Sequence, residues 1–299
     1  MWFAVCSRTH IDSDRMGASK GGRRTGVCGV TMTNEVNPGY REEHVALATG
    51  RLRLLRSQQP PGAQRPPLVC LHHSIGSLGW LPVHDLLTTQ FDVIVPDMPG
   101  YAGSARPEWA REPRDLALIL NHLNDALELS DVTLMGTGFG GFIAAEMACA
   151  NSSRLARLVL VGAAGLKPRD GDIADQMLMS HSAYAQAGFR NAEHYHAVFG
   201  DAPSAEVREL WDYSREMSAR VTWKPYMFSH RLAPLLGNLK LPTLILWGSA
   251  DAVVPLASAE RYRAAIPGAQ LQVIEGAGHC VEMEEPTAVA ERIQAFARG

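Results

Sequence analysis

Apolar residues along the chain occur either in short continuous runs or at the spacing of one helix face. The short runs, which we predict to be buried strands, cover residues 68–72, 91–96, 132–136, 155–161, 241–248 and 271–274. Helical spacing covers residues 115–129, 140–150 and 286–298, and residues 43–56 have the pattern of a hairpin that turns near Gly50. Strands that alternate with helices predict an α/β fold, in which a mostly parallel sheet is flanked by helices.

One long segment interrupts this alternation. Between residues 166 and 237 no strand pattern occurs, whereas Met, His and aromatic residues are frequent. We interpret this segment as a helical cap inserted between two parts of the α/β core, residues 41–165 and 238–299. Such side chains commonly line an apolar pocket, although they can also serve only to hold the cap on the core. We expect Trp211 and Trp223 to be among those that contact a substrate.

The first 40 residues differ in composition from the rest of the chain. They are rich in Gly, Ser, Thr and Arg and have no sustained periodicity, which is typical of disorder. We therefore predict a disordered extension over residues 1–40, and Met32 is an alternative start. A transit peptide is the other interpretation, and Asp12 and Asp14 count against it because such peptides contain few acidic residues.

Composition and charge exclude several classes of function. A formal net charge of −3 argues against nucleic acid as a partner, and no apolar run reaches the ~20 residues that cross a membrane. The five cysteines are scattered without a C-x-x-C pair, which favours free thiols and a cytoplasmic location. Neither a phosphate-binding nor a dinucleotide-binding glycine motif occurs, and His194 and His196 would face apart on a helix. We expect a small-molecule substrate, no cofactor and no metal, and nothing in the sequence indicates an oligomeric state.

Polar and glycine-rich clusters follow several of the predicted strands, at the sheet edge where ligands bind in α/β proteins. These clusters are Leu71-His72-His73-Ser74 with Ser77 and Trp80, residues 96–104 (PDMPGYAGS), residues 136–140 (GTGFG), and residues 246–251 (LWGSAD) followed by 276–279 (GAGH). In this order they resemble the α/β-hydrolase superfamily from about residue 43 to the C terminus, in particular its capped members such as pimeloyl-ester esterases and C–C hydrolases. The resemblance implies an α/β-hydrolase fold with a helical cap.

The same resemblance implies the site residues. In that family the chain order is nucleophile, acid, histidine, which corresponds here to Gly138, Asp251 and His279. A carboxylate that accepts from one ring nitrogen fixes the histidine tautomer and leaves the other nitrogen as a base. The oxyanion hole would be formed by the backbone N–H groups of Phe139 and Ser74. A turn-capping role for Asp251 and an exposed loop position for His279 are the alternatives.

Gly138 departs from the family, because residues 136–140 match the nucleophile elbow G-x-S-x-G without its serine. Glycine fits the strained backbone of the elbow, so the fold does not need a serine here, whereas a covalent acyl-enzyme does. We do not expect Thr137, Ser74, Ser77 or Cys280 to replace it. The missing side chain is expected to leave volume for a water molecule or for a bulkier substrate.

His73 is the second departure, at a position where the family usually has glycine. Its imidazole either narrows the substrate site, acts as a second acid or base, or points away from the site.

Together these patterns predict an enzyme that acts on a small, fairly apolar carbonyl compound, such as an ester, a lactone or a C–C bond. The His279–Asp251 pair and the backbone oxyanion hole would carry this hydrolase or lyase chemistry without a serine nucleophile. The alternative is a catalytically inactive ligand-binding or scaffold protein, since the N-Myc-downstream-regulated family combines this fold with a disrupted elbow. Retention of Asp251, His279 and an aromatic cap together favours the enzyme.

Overall fold

The computed structural model describes residues 39–299, so most of the predicted extension over residues 1–40 lies outside the described residues. Tyr40 already belongs to the first strand, and its ring stacks on Trp80 with 4.9 Å between the ring centroids. Within the described range the strands are β1 (Tyr40–Leu47), β2 (Gly50–Ser57), β3 (Pro67–Leu71), β4 (Asp92–Pro96), β5 (Val132–Thr137), β6 (Leu155–Val161), β7 (Thr243–Gly248) and β8 (Gln270–Ile274).

These strands form one sheet in the order β1-β2-β4-β3-β5-β6-β7-β8. β1 and β2 are the predicted hairpin and pair antiparallel, β2 also pairs antiparallel with β4, and β3 to β8 are joined by parallel pairs. Every residue of β4, β5 and β7 is buried, which is why these strands appear in the sequence as continuous apolar runs. The prediction of a mostly parallel sheet is confirmed.

The helices of the core are α1 (Pro82–Leu87), α2 (Pro113–Ala126), α3 (Phe139–Ala150), α8 (Leu256–Ala265), α9 (Val281–Glu284) and α10 (Pro286–Arg298). They cover both faces of the sheet, and each face has its own apolar cluster. The side chains of α2, α3 and α8 join one cluster, and those of α1, α9 and α10 join the other. None of the helices within residues 39–299 combines the length and apolar character needed to cross a membrane.

Between β6 and β7 the chain forms α4 (His181–Ala187), α5 (Ala192–Phe199), α6 (Ala205–Thr222) and α7 (Leu232–Leu236), all within the segment predicted as a cap. α7 packs against α3 and α8 of the core. α4 and α6 lie over the strand ends, because Tyr184 Oη is 3.1 Å from Ser74 Oγ and Ser218 Oγ is 2.9 Å from Tyr101 Oη. The cap therefore covers the edge of the sheet at which β3 and β4 end.

Candidate active site

Gly138 lies at the turn between β5 and α3 in a backbone conformation that few side chains tolerate, with φ of 52° and ψ of −114°. Its N–H donates to the carbonyl of Val161 over 2.9 Å, and its own carbonyl accepts from Gly141. A Cβ at Gly140 would overlap the backbone carbonyl of His72. The start of α3 can therefore approach the end of β3 this closely only because residue 140 is glycine. The geometry of a nucleophile elbow is thus present without a nucleophilic side chain.

Asp251 and His279 are brought together by the loops that follow β7 and β8. His279 Nδ1 lies 2.8 Å from Asp251 Oδ2, and both side chains are buried. Asp251 Oδ1 accepts hydrogen bonds of 2.8 Å from the N–H groups of Val253 and Val254. With both carboxylate oxygens occupied, Asp251 is held in one orientation, so that His279 Nδ1 is the donor and Nε2 has no hydrogen-bond partner among the described residues.

The electrostatic surroundings favour the charged form of His279. Burial opposes that form, but the neighbouring Asp251 carboxylate outweighs burial, and Glu282 adds to it, so that the pKa of His279 lies above its ordinary value. A base with a raised pKa accepts a proton more readily, although a smaller fraction of it is unprotonated at neutral pH.

His73 occupies the space that the side chain of a nucleophile would fill. A Cβ added at Gly138 would lie 2.9 Å from His279 Nε2 and closer still to His73 Nδ1. The His73 and His279 rings meet edge to face with their centroids 4.8 Å apart. Of the three alternatives for His73, the one in which it points away from the site is wrong. The volume expected to be left by Gly138 is occupied by this imidazole.

Glu282 on α9 is a site residue that the sequence motifs did not indicate. Its Oε1 lies 2.9 Å from His73 Nε2, and only 3% and 4% of the Glu282 and His73 side chains are exposed. Burial raises the pKa of Glu282, but His73 more than offsets this, so that its pKa lies below the ordinary value. The one sequence feature that could have indicated Glu282 is its position three residues after His279, at the start of a short helix.

The backbone N–H groups of Phe139 and Ser74 are available as donors. Phe139 is the first residue of α3, where an N–H has no partner within the helix. Within the described part of the chain neither N–H donates a hydrogen bond, although both residues are buried. Unpaired main-chain N–H groups are the kind of donor that an oxyanion hole needs.

The sequence profile of the α/β hydrolase fold family matches residues 66–286. The chain belongs to this family. Proteins similar to the chain include an uncharacterised protein of Mycobacterium tuberculosis, 28% identical over 77% of this chain and 75% of that protein. A 2-hydroxy-6-oxononadienedioate/2-hydroxy-6-oxononatrienedioate hydrolase of Dechloromonas aromatica is 25% identical over 85% and 94%.

A solved structure with the same fold is the meta-cleavage product hydrolase of Pseudomonas fluorescens. It has a TM-score of 0.70 and 23% identity, and the match covers 86% of this chain and 97% of that one. The predicted resemblance and the α/β-hydrolase fold are therefore confirmed.

Three other hydroxyl groups near the elbow of this hydrolase-fold protein already take part in hydrogen bonds. Thr137 Oγ1 donates to the carbonyl of Leu71 over 3.1 Å, Ser74 Oγ contacts Tyr184, and Ser77 Oγ accepts from the N–H of Gly79. Burial raises the pKa of the Cys280 thiol well above its ordinary range, which disfavours the reactive thiolate.

The two tryptophans predicted to contact a substrate lie in different surroundings. Trp211 is buried inside the cap, where its ring centroid is 5.3 Å from that of Phe199. Trp223 is 64% exposed and lines a separate groove of about 360 Å³, whose lining includes neither His73 nor His279. Contact between Trp223 and a substrate therefore stays a prediction, and the groove that Trp223 lines is separate from the site at Gly138.

No three His, Cys, Asp or Glu side chains within residues 39–299 come together in a way that could hold a metal ion.

Proposed function

We propose that the protein hydrolyses a small carbonyl compound, an ester or a C–C bond beside a carbonyl, with His279 as general base and without an acyl-enzyme. The observation that carries this proposal is the position of His279 Nε2. Asp251 fixes the ring through Nδ1, and Nε2 then lies 2.9 Å from the point where a Cβ of residue 138 would be. The lack of a side chain at Gly138 removes the covalent route but leaves this base intact.

In the proposed reaction a water molecule attacks the carbonyl carbon while His279 Nε2 takes one of its protons. The negative charge that develops on the carbonyl oxygen is stabilised by the N–H groups of Phe139 and Ser74. Removing one such donor from a known oxyanion hole costs roughly 3–4 kcal/mol of transition-state stabilisation. Both donors belong to the main chain, so their contribution does not depend on a serine at position 138.

Two buried polar groups of α6 bear on the substrate. Trp211 Nε1 and Ser214 Oγ have no hydrogen-bond partner within the described residues, although buried polar groups nearly always have one. Ser214 lies against Gly76, two residues after Ser74 in the oxyanion segment. We infer that the substrate carries a hydrogen-bond acceptor that reaches α6. The similarity to hydrolases named for oxo-dioate substrates supports a carbonyl compound with such acceptors.

Hydrolysis of p-nitrophenyl acetate by the full chain is expected to depend on His279, with a His279→Gln variant about 10²-fold slower or more. His122, which is exposed on α2, provides the matched control, and His122→Gln is expected to retain full activity. A serine-directed fluorophosphonate should not label the protein. Clear labelling would contradict the non-covalent route, and equal rates for the two variants would favour a ligand-binding protein instead.

A further inference from the structure

The site contains two imidazole–carboxylate pairs rather than one. His279 is paired with Asp251 at 2.8 Å, and His73 is paired with Glu282 at 2.9 Å. The two pairs come from different parts of the chain and meet at Gly138. Each ring uses one nitrogen for its carboxylate, and the remaining nitrogens, His279 Nε2 and His73 Nδ1, both lie within 3.0 Å of the point where a Cβ of residue 138 would be.

The charges of these four groups do not balance when both rings are neutral. The carboxylates of Asp251 and Glu282 would then place two negative charges among side chains that are at most 7% exposed. Buried charges are costly unless they are paired with an opposite charge. One proton shared by the two rings offsets half of this charge.

We propose that His73 and His279 hold one proton between them at neutral pH, so that the site contains a general acid as well as a general base. In the reactive form the proton is on His73, which is the acid, and His279 is the unprotonated base. Glu282 is a positioning residue, since it orients the His73 ring and stabilises its protonated form. This proposal rests on the hydrolytic function proposed above and adds a proton donor to it.

The proton balance of the reaction follows directly. As water attacks the carbonyl carbon, its proton passes to His279 Nε2, and as the tetrahedral intermediate collapses, His73 Nδ1 gives its proton to the departing group. The proton on His279 then moves to His73 and restores the reactive form. The net reaction consumes one water molecule and releases an acid and a protonated leaving group. A donor of this kind suits substrates with poor leaving groups, such as the alkoxide of an unactivated ester or the carbanion of a cleaved C–C bond.

The surrounding titratable groups keep a constant charge in the neutral range. They are His72, His84, Tyr184, Cys280 and Arg190. Burial lowers the pKa values of His72 and His84 to about 4 and raises that of Tyr184 to about 12. These neighbouring groups are therefore not expected to take up a proton near neutral pH.

A comparison of two esters that differ in their leaving group tests the proposed acid. Phenyl acetate needs more help from a proton donor than p-nitrophenyl acetate, whose phenolate leaves readily. Glu282→Gln in the full chain is expected to lower kcat/KM for both esters, but at least about tenfold further for phenyl acetate, since acid catalysis typically contributes 10²–10⁴-fold. Glu291→Gln, on the exposed side of α10, is the matched control and should change neither value. An equal loss for the two esters would overturn the proposal.

The shared proton can be measured without any substrate. In ¹⁵N-histidine spectra of the wild-type protein at neutral pH, one proton should be found on the nitrogens His73 Nδ1 and His279 Nε2 taken together. In Glu282→Gln the pair should hold less of this proton at the same pH. Two nitrogens that are both unprotonated, or both protonated, in the wild-type protein would overturn the proposal even if hydrolysis is observed. If neither ester is hydrolysed, the function proposed above fails, whereas the spectra still decide whether the proton is shared.

Discussion

Replacement of Asp251 by Asn is expected to lower kcat/KM by about 10²–10⁴-fold, the contribution of a positioned base. Asp251 Oδ1 accepts from the N–H groups of Val253 and Val254, and the amide oxygen of Asn would keep this place. The NH₂ group would then face His279 Nδ1, which would have to accept rather than donate. The ring proton would move to Nε2, where it blocks the base.

The loss of the Asp251 carboxylate should also shift the pH dependence of kcat/KM, and the direction of this shift can be predicted. The wild-type rate should rise with pH through the pKa of His279, which is raised above its ordinary value of 6.5. In Asp251→Asn the residual activity should rise at a lower pH, because the carboxylate that raises this pKa is gone. The pair also stabilises the fold most at acidic pH, and this stabilisation is lost as pH rises through the pKa of folded His279.

The pH–rate profile should be measured beside that of Asp201→Asn, a control at an exposed position. An Asp251→Asn variant with a wild-type rate, or with a rate that rises at higher pH than in the wild type, would contradict the assigned role of Asp251.

A serine nucleophile is expected to be restorable at position 138, but only after His73 is removed. In Gly138→Ser alone, the new Cβ would overlap His73 Nδ1, a ring held in place by Glu282. Overpacking of this kind destabilises proteins by about 1–3 kcal/mol. In His73→Gly alone, the Glu282 carboxylate would remain buried without a partner, and breaking such a pair costs about 3–5 kcal/mol.

The triple variant Gly138→Ser/His73→Gly/Glu282→Gln avoids both problems and presents a serine to His279 Nε2. It should be labelled by a fluorophosphonate and hydrolyse p-nitrophenyl acetate about 10²-fold faster than the wild type, a modest gain beside the effect of a complete triad. His73→Gly/Glu282→Gln is the matched control and should not be labelled. A folded triple variant without labelling would show that His279 and the hole are not arranged for acyl transfer.

The main strands and helices of the core could be predicted because their hydrophobic patterns involve only residues close together in the sequence. The continuous apolar runs of β4, β5 and β7 follow from strands buried on both faces. The order of the motifs was then enough to predict the fold. The helices α1, α8 and α9 were not predicted, since α1 and α9 are only six and four residues long and α8 lacks a clear apolar face.

The residues of the site and their contacts could be predicted only in part. Asp251 and His279 follow strands that are neighbours in the sheet, so their meeting was expected from the motif order. The direction of the His73 ring depends on Glu282, which is 209 positions away in the sequence. No local pattern encodes such a contact. For the same reason the sequence could not distinguish Trp211, buried inside the cap, from Trp223, which is largely exposed.

Rapid-mixing kinetics with p-nitrophenyl acetate test most directly whether His279 drives hydrolysis without a covalent intermediate. Nitrophenolate should be released by the wild-type protein at a constant rate from the first turnover, with no burst, and His279→Gln should remove this release. A burst of one equivalent per protein chain, or release that does not depend on His279, would contradict this mechanism.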